Sequence, residues 1–183
     1  MVNSILTREP SEVELLAPAG EIDAAYAALH YGADAIYLGL PRFSARAVAK
    51  NLSLEELDEI TAYARSLDRP RRVFVTINTL IQQAELPDVI ESLAQAAEFG
   101  VDAVIVQDLG VARLVRSYFP SLALHASTQM AVHNLTGVQA LAKLGFSRVI
   151  LARELTLEEI SSIARESGIE VEVFIHGALC YSY

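Results

Sequence analysis

A parallel α/β architecture of the (βα)8 TIM-barrel-like class, incomplete, with seven strands and six helices, is predicted by three observations. Apolar, β-rich runs alternate strictly with helix-period segments, the units recur at near-even spacing, and glycine stands at the same joint of successive units.

The strands are expected at Val13 to Ala17, Ala35 to Gly39, Arg72 to Asn78, Ala103 to Gln107, Leu122 to Ala126, Arg148 to Ala152 and Val171 to Ile175. Each is short, apolar and bounded by turn or charged residues, as buried parallel strands are. The helices between them are expected at Glu21 to Tyr31, Leu54 to Leu67, Leu86 to Phe99, Leu109 to Tyr118, His133 to Leu144 and Leu157 to Glu166. In "YGADAIYLG", "FGVDAVIVQ", "LGFSRVILA" and "SGIEVEVFI", Gly32, Gly100, Gly145 and Gly168 end a helix in front of a strand, where a left-handed residue is needed. "LSLEEL" and "LTLEEI" fit capping boxes, Ser53 with Glu56 and Thr156 with Glu159, each with a hydrophobic staple, Leu52 with Leu57 and Leu155 with Ile160.

An open doubly wound sheet is the competing architecture. Its dinucleotide-binding form carries G-x-G-x-x-G after the first strand, whereas Leu15 to Gly20 offers one glycine. A complete barrel has eight strands and typically about 250 residues. The expectation is therefore one barrel-type domain over residues 1–183, truncated before the last helix, strand and helix. Its first and seventh strands would expose backbone edges open to self-association.

With 183 residues, 52% of them hydrophobic and 20% charged, the chain can bury a sizeable core. No apolar run approaches the roughly 18 residues of a membrane span, and a cytoplasmic location is expected. The net charge of −9 argues against a broad basic surface, so an RNA partner would need a local patch or another part of a longer protein. The single cysteine cannot form an internal disulfide.

In a barrel, function collects on the loops at the C-terminal ends of the strands. Those ends carry Arg42 and Arg46, Asn78, Gln107 and Asp108, His125, Ser127, Thr128 and Gln129, Arg153 and Glu154, and His176 with Gly177. His125, Arg153, Glu154 and His176 are the candidate catalytic groups. Arg42, Arg46, Asn78, Gln107, Ser127, Thr128 and Gln129 are the candidate substrate contacts. Two imidazoles, several amides and guanidinium groups around one mouth suit a small anionic, oxygen-rich ligand.

Structural alternatives stand beside these roles. Asp108 and Glu154 read equally as helix caps, Arg153 as a surface ion-pair partner of Glu154, and His125 as a hydrogen-bonded core residue. His30 and His133 fall in helices and read as structural. Ser127 lacks a nucleophile elbow, and H-E-x-x-H is absent.

"LLAPAG", "GADAIYLG", "RFSARA", "HASTQ", "LARELTLEEI" and "EVFIHGALCYSY" together resemble the collagenase-like peptidases, peptidase family U-thirty-two. The resemblance spans almost the whole chain. The last segment is the most specific, because it looks like the start of the family's cysteine signature. The resemblance implies a barrel-type N-terminal domain and three classes of function. One is prephenate-dependent, oxygen-independent hydroxylation of a tRNA uridine, an rRNA cytidine or a ubiquinone precursor ring. The second is the peptidase activity of the family name, and the third a non-catalytic binding remnant. It also implies a 4Fe-4S cluster in the full-length protein, with Cys180 as its first ligand. Such a cluster ordinarily uses four cysteines, so an intact one is not expected on this chain alone.

Overall fold

The computed structural model describes residues 13–45 and 51–177. Seven strands, β1 (Leu16–Pro18), β2 (Ala35–Gly39), β3 (Arg72–Ile77), β4 (Ala103–Val106), β5 (Ala123–Ala126), β6 (Arg148–Ile150) and β7 (Glu170–Glu172), pair in chain order. Every pairing is parallel. Six helices link them: α1 (Ile22–His30), α2 (Leu54–Ser66), α3 (Leu86–Phe99), α4 (Leu109–Tyr118), α5 (Leu135–Lys143) and α6 (Leu157–Glu166). The sheet curls with the helices on its outer side, the incomplete TIM-barrel-like class the alternation predicts. Among the described residues, no helix is long and apolar enough to cross a membrane.

Side-chain alternation divides the core in two. Val73, Val75 and Ile77 of β3 join the layer under the helices, with Leu57, Ile60, Val89 and Leu93. Phe74 points the other way, into an inner cluster with Ala35, Ala103, Ile105 and Ile150, against which Leu16, Tyr37, Ala123 and Phe174 pack. Period-two patterning thus builds both the wall and the filling of the curled sheet.

The repeated glycine joints lock neighbouring units together. Gly32, Gly100, Gly145 and Gly168 all adopt positive φ. The residue two places on then bonds to the preceding strand: Asp34 N–H donates to the Leu15 carbonyl at 2.8 Å, and Asp102 N–H to that of Val73 at 3.0 Å. The carboxylates return the bond, Asp34 accepting from Leu15 N–H at 3.0 Å and Asp102 from Val73 N–H at 2.8 Å. Both expected capping boxes form, at Ser53 and Thr156.

Three boundaries differ from expectation for local reasons. β1 begins at Leu16, because Leu15 spends its N–H on Asp34. α5 begins at Leu135, because Asn134 caps it by accepting from Gly137 N–H at 2.8 Å; His133 therefore lies outside the helix. β7 is Glu170–Glu172 rather than Val171 to Ile175, since pairing starts opposite Arg148 and the last link is Leu151 N–H to the Glu172 carbonyl.

Candidate functional site

Because all seven strands run parallel, their C-terminal ends open at one end of the sheet, and the expected site residues divide there into three groups. The first holds loops in place. Asn78 accepts from Ala45 N–H at 2.9 Å through Oδ1, and its own N–H donates to the Phe43 carbonyl at 2.9 Å. It therefore clamps the loop after β2, where Phe43 is buried at φ 64. Below that loop, Thr76 donates to the Leu38 carbonyl and meets the buried Ser44 hydroxyl, each at 3.2 Å. Arg42 lies over the Phe43 ring and forms an ion pair with Asp88 of α3 at 2.8 Å. Asp108 caps α4, accepting from Gly110 and Val111 N–H at 2.7 and 3.1 Å, and also accepts from Ile81 N–H. Glu154 is exposed and does not start a helix, because Thr156 caps α6.

The second group faces the mouth. Gln107 follows β4 and is half-buried. Ser127, buried, donates to Gln129 Oε1 at 2.9 Å in a single 3-10 turn over Thr128–Met130, and Thr128 Oγ1 reaches the Leu151 carbonyl. The Arg153 guanidinium lies 4.2 Å from the Phe174 ring centroid. That contact holds a planar, five-donor group half-buried at the rim. His176 is exposed beside Gly177.

The third group is His125 alone. It sits on the inner face of β5, only 3% exposed, with its ring edge-on to Phe74 at 4.8 Å between centroids. Its Nδ1 has no hydrogen-bond partner among the described residues. Burial, with Arg148 and Arg72 nearby, holds the imidazole well below its ordinary pKa, so it is neutral. It lies in the floor beneath the mouth. Arg46 and Cys180 lie outside the described residues.

Sequence reasoning missed a charged layer at the opposite end. Arg148, its side chain 5% exposed, pairs through Nη1 with Glu14 at 2.8 Å and Glu172 at 3.3 Å, and through Nε with Glu170 at 2.8 Å. Arg72 pairs with Glu14 as well. Both guanidinium groups also lie over Phe74, at 5.5 Å for Arg72 and 5.3 Å for Arg148. Desolvation raises the Glu172 carboxyl above its usual range, although Arg148 pulls the other way. The clue was available, since Arg148 and Glu170 open their strands, and Glu172 closes β7, with charge where apolar residues are usual.

Fold and loop placement together define an incomplete parallel βα barrel with polar side chains gathered at the C-terminal ends of its strands. The family model "Peptidase family U32" matches residues 20–183, and the chain belongs to that family. It is 38% identical over 178 residues to the 23S rRNA 5-hydroxycytidine C2501 synthase of Escherichia coli, covering 97% of this chain and 26% of that protein. It is 39% identical over 171 residues to the tRNA hydroxylation protein P of Escherichia coli, covering 93% and 37%. A collagenase of Porphyromonas gingivalis is 28% identical over 182 residues, covering 93% and 43%. The chain thus spans between about a quarter and two fifths of these relatives. Among solved structures, the U32 peptidase Mk0906 superposes with a TM-score of 0.72 at 16% identity, over 91% of this chain and 70% of that one, a likeness of fold.

Proposed function

We propose that this barrel is the catalytic-domain portion of a protein that hydroxylates a pyrimidine nucleoside in tRNA or rRNA. The observation that carries the reading is 38–39% identity, over nearly all of this chain, to two proteins named for RNA hydroxylation. A prephenate-like dicarboxylate is the proposed hydroxyl source, bound at the mouth. Arg153, fixed against Phe174, supports this as a bidentate carboxylate partner. Gln107, Ser127, Thr128 and Gln129 would supply the neutral contacts. His176 and Glu154, both exposed, would be the proton-transfer candidates, while neutral His125 would shape the floor. A cytoplasmic location is part of the same proposal.

The iron-sulfur cluster belongs to this proposal too, with Cys180 as one ligand. The residues present do not fit a complete site. The chain has one cysteine, and the described residues contain no group of three or more metal-ligating side chains. Three further thiolates would come from outside these 183 residues. Self-association through the β1 and β7 edges is the corresponding proposal for the sheet.

Peptidase activity is the second reading, favoured by the family description and the collagenase relative. The Ser127 hydroxyl is engaged by Gln129, so a serine mechanism there would first have to break that bond. Nucleoside mass spectrometry on tRNA and rRNA from a strain deleted for the full-length gene separates the two. Loss of one hydroxylated pyrimidine, restored by the gene, is expected. Unchanged nucleosides with altered peptide turnover would favour the peptidase.

A further inference from the structure

The chain carries 23 Asp and Glu residues, yet none lies between Leu109 and Arg153. That stretch forms α4, β5, α5 and β6, so two successive outer helices lack carboxylates. The same helices expose Arg113, Arg116 and Lys143. None of the three has a carboxylate partner among the described residues; Arg116 instead donates to the Leu144 carbonyl at 3.1 Å. Elsewhere Arg42 is paired with Asp88, and Arg69 and Arg71 with Asp34, while Arg65 and Arg165 meet the Gly100 carbonyl and the Ser161 hydroxyl, each on a helix that also carries carboxylates.

The cations border a built surface. An open groove of about 410 Å³ runs along α4 to the end of α5, lined by Leu109, Ala112, Arg113, Arg116, Ser117 and Leu144. Tyr118 stands at the end of α4, 72% exposed, and Leu109 and Leu144 are 56% and 47% exposed. Uncompensated guanidinium groups beside an exposed aromatic ring form the usual combination for nucleic acid, phosphates meeting the cations and a base the ring. A second copy of this acidic chain would meet the cations only with dispersed carboxylates, whereas a nucleic-acid backbone presents phosphates at regular spacing.

We propose that the α4–α5 face is the docking surface for the RNA backbone, holding the strand on the outer wall while the target nucleoside reaches the mouth. The inference rests on the RNA-modification reading. Its test uses the full-length protein carrying Arg113→Glu, Arg116→Glu and Lys143→Glu together. Filter binding to total tRNA and total rRNA is measured across a salt series, with Arg165→Glu on α6 as control.

Affinity is expected to fall at least about tenfold, with the slope of log affinity against log salt shallower by roughly 2 to 3. The control should match the wild type. Single neutralisations, Arg113→Gln and Lys143→Gln, guard against misfolding of the triple variant, and each should lower the slope by about 1. Unchanged affinity and slope in all these variants would overturn the docking surface, while nucleoside loss in the deletion strain would still stand. Unchanged nucleosides in that strain would overturn the parent reading as well.

Discussion

The two ends of the barrel interior treat charge in opposite ways. Where the strands begin, Glu14, Arg72, Arg148, Glu170 and Glu172 neutralise one another around Phe74, and Arg148 alone meets three carboxylates. Where the strands end, Arg153 rests on an aromatic ring and the amides and hydroxyls face the rim. Charge at the first end is consumed by the fold. At the second lie the proposed ligand contacts. The salt link from Glu14, ahead of β1, to Arg148 of β6 also crosses the interior of the curled sheet, so charge at the starting end ties distant strands together.

The sharpest way to break this contrast is Arg148→Met. It would strand Glu172 and leave Glu14 with Arg72 alone in a buried layer, and a loss of about 3–5 kcal/mol is expected in urea unfolding of the full-length protein. Adding Glu14→Gln and Glu172→Gln should return part of it, because the uncompensated charges go with the arginine. A cost under about 1 kcal/mol for Arg148→Met would show that the layer is solvated.

Asp34→Asn tests a joint rather than the interior. The Leu15 N–H, followed by Arg71 and Arg69, holds this carboxyl below its ordinary pKa. Its contribution is therefore present above the unfolded carboxylate value of about 3.9 and is lost as pH falls through that value towards the folded one. The variant should lose about 2 kcal/mol at neutral pH and show a flatter acid limb. Glu172 has the opposite sign. Its raised pKa favours the native state at low pH, and that contribution is lost as pH rises from about 4.3 through the folded value.

Gly39→Ala is a smaller perturbation at the mouth. An added Cβ would stand 2.5 Å from both Asn51 Oδ1 and Ser44 Oγ. About 1–2 kcal/mol should be lost as Ser44 shifts away from Thr76. Unchanged stability would mean that the loop after β2 gives way freely.

Much of the fold is legible because local rules carry it. Alternating apolar runs, the glycine joints and the capping boxes at Ser53 and Thr156 each act within a few residues. The charged layer is not local, since Glu14 and Arg148 are 134 positions apart. For the same reason β7 reads too late from its apolar residues, because the partner that draws Glu170 and Glu172 inward lies on another strand. At the site, the cap role of Asp108 was visible, but the attachment of Arg42 to Asp88 was not, as it depends on where α3 starts.

The division between a structural end and a working end meets its most direct test in Arg153→Ala, placed in the full-length gene and returned to the deletion strain. The account predicts wild-type protein levels and urea midpoint, with the hydroxylated nucleoside reduced at least about tenfold as a transition-state or substrate contact of roughly 1.4 kcal/mol or more is lost. Full restoration of that nucleoside by the Arg153→Ala protein would contradict it.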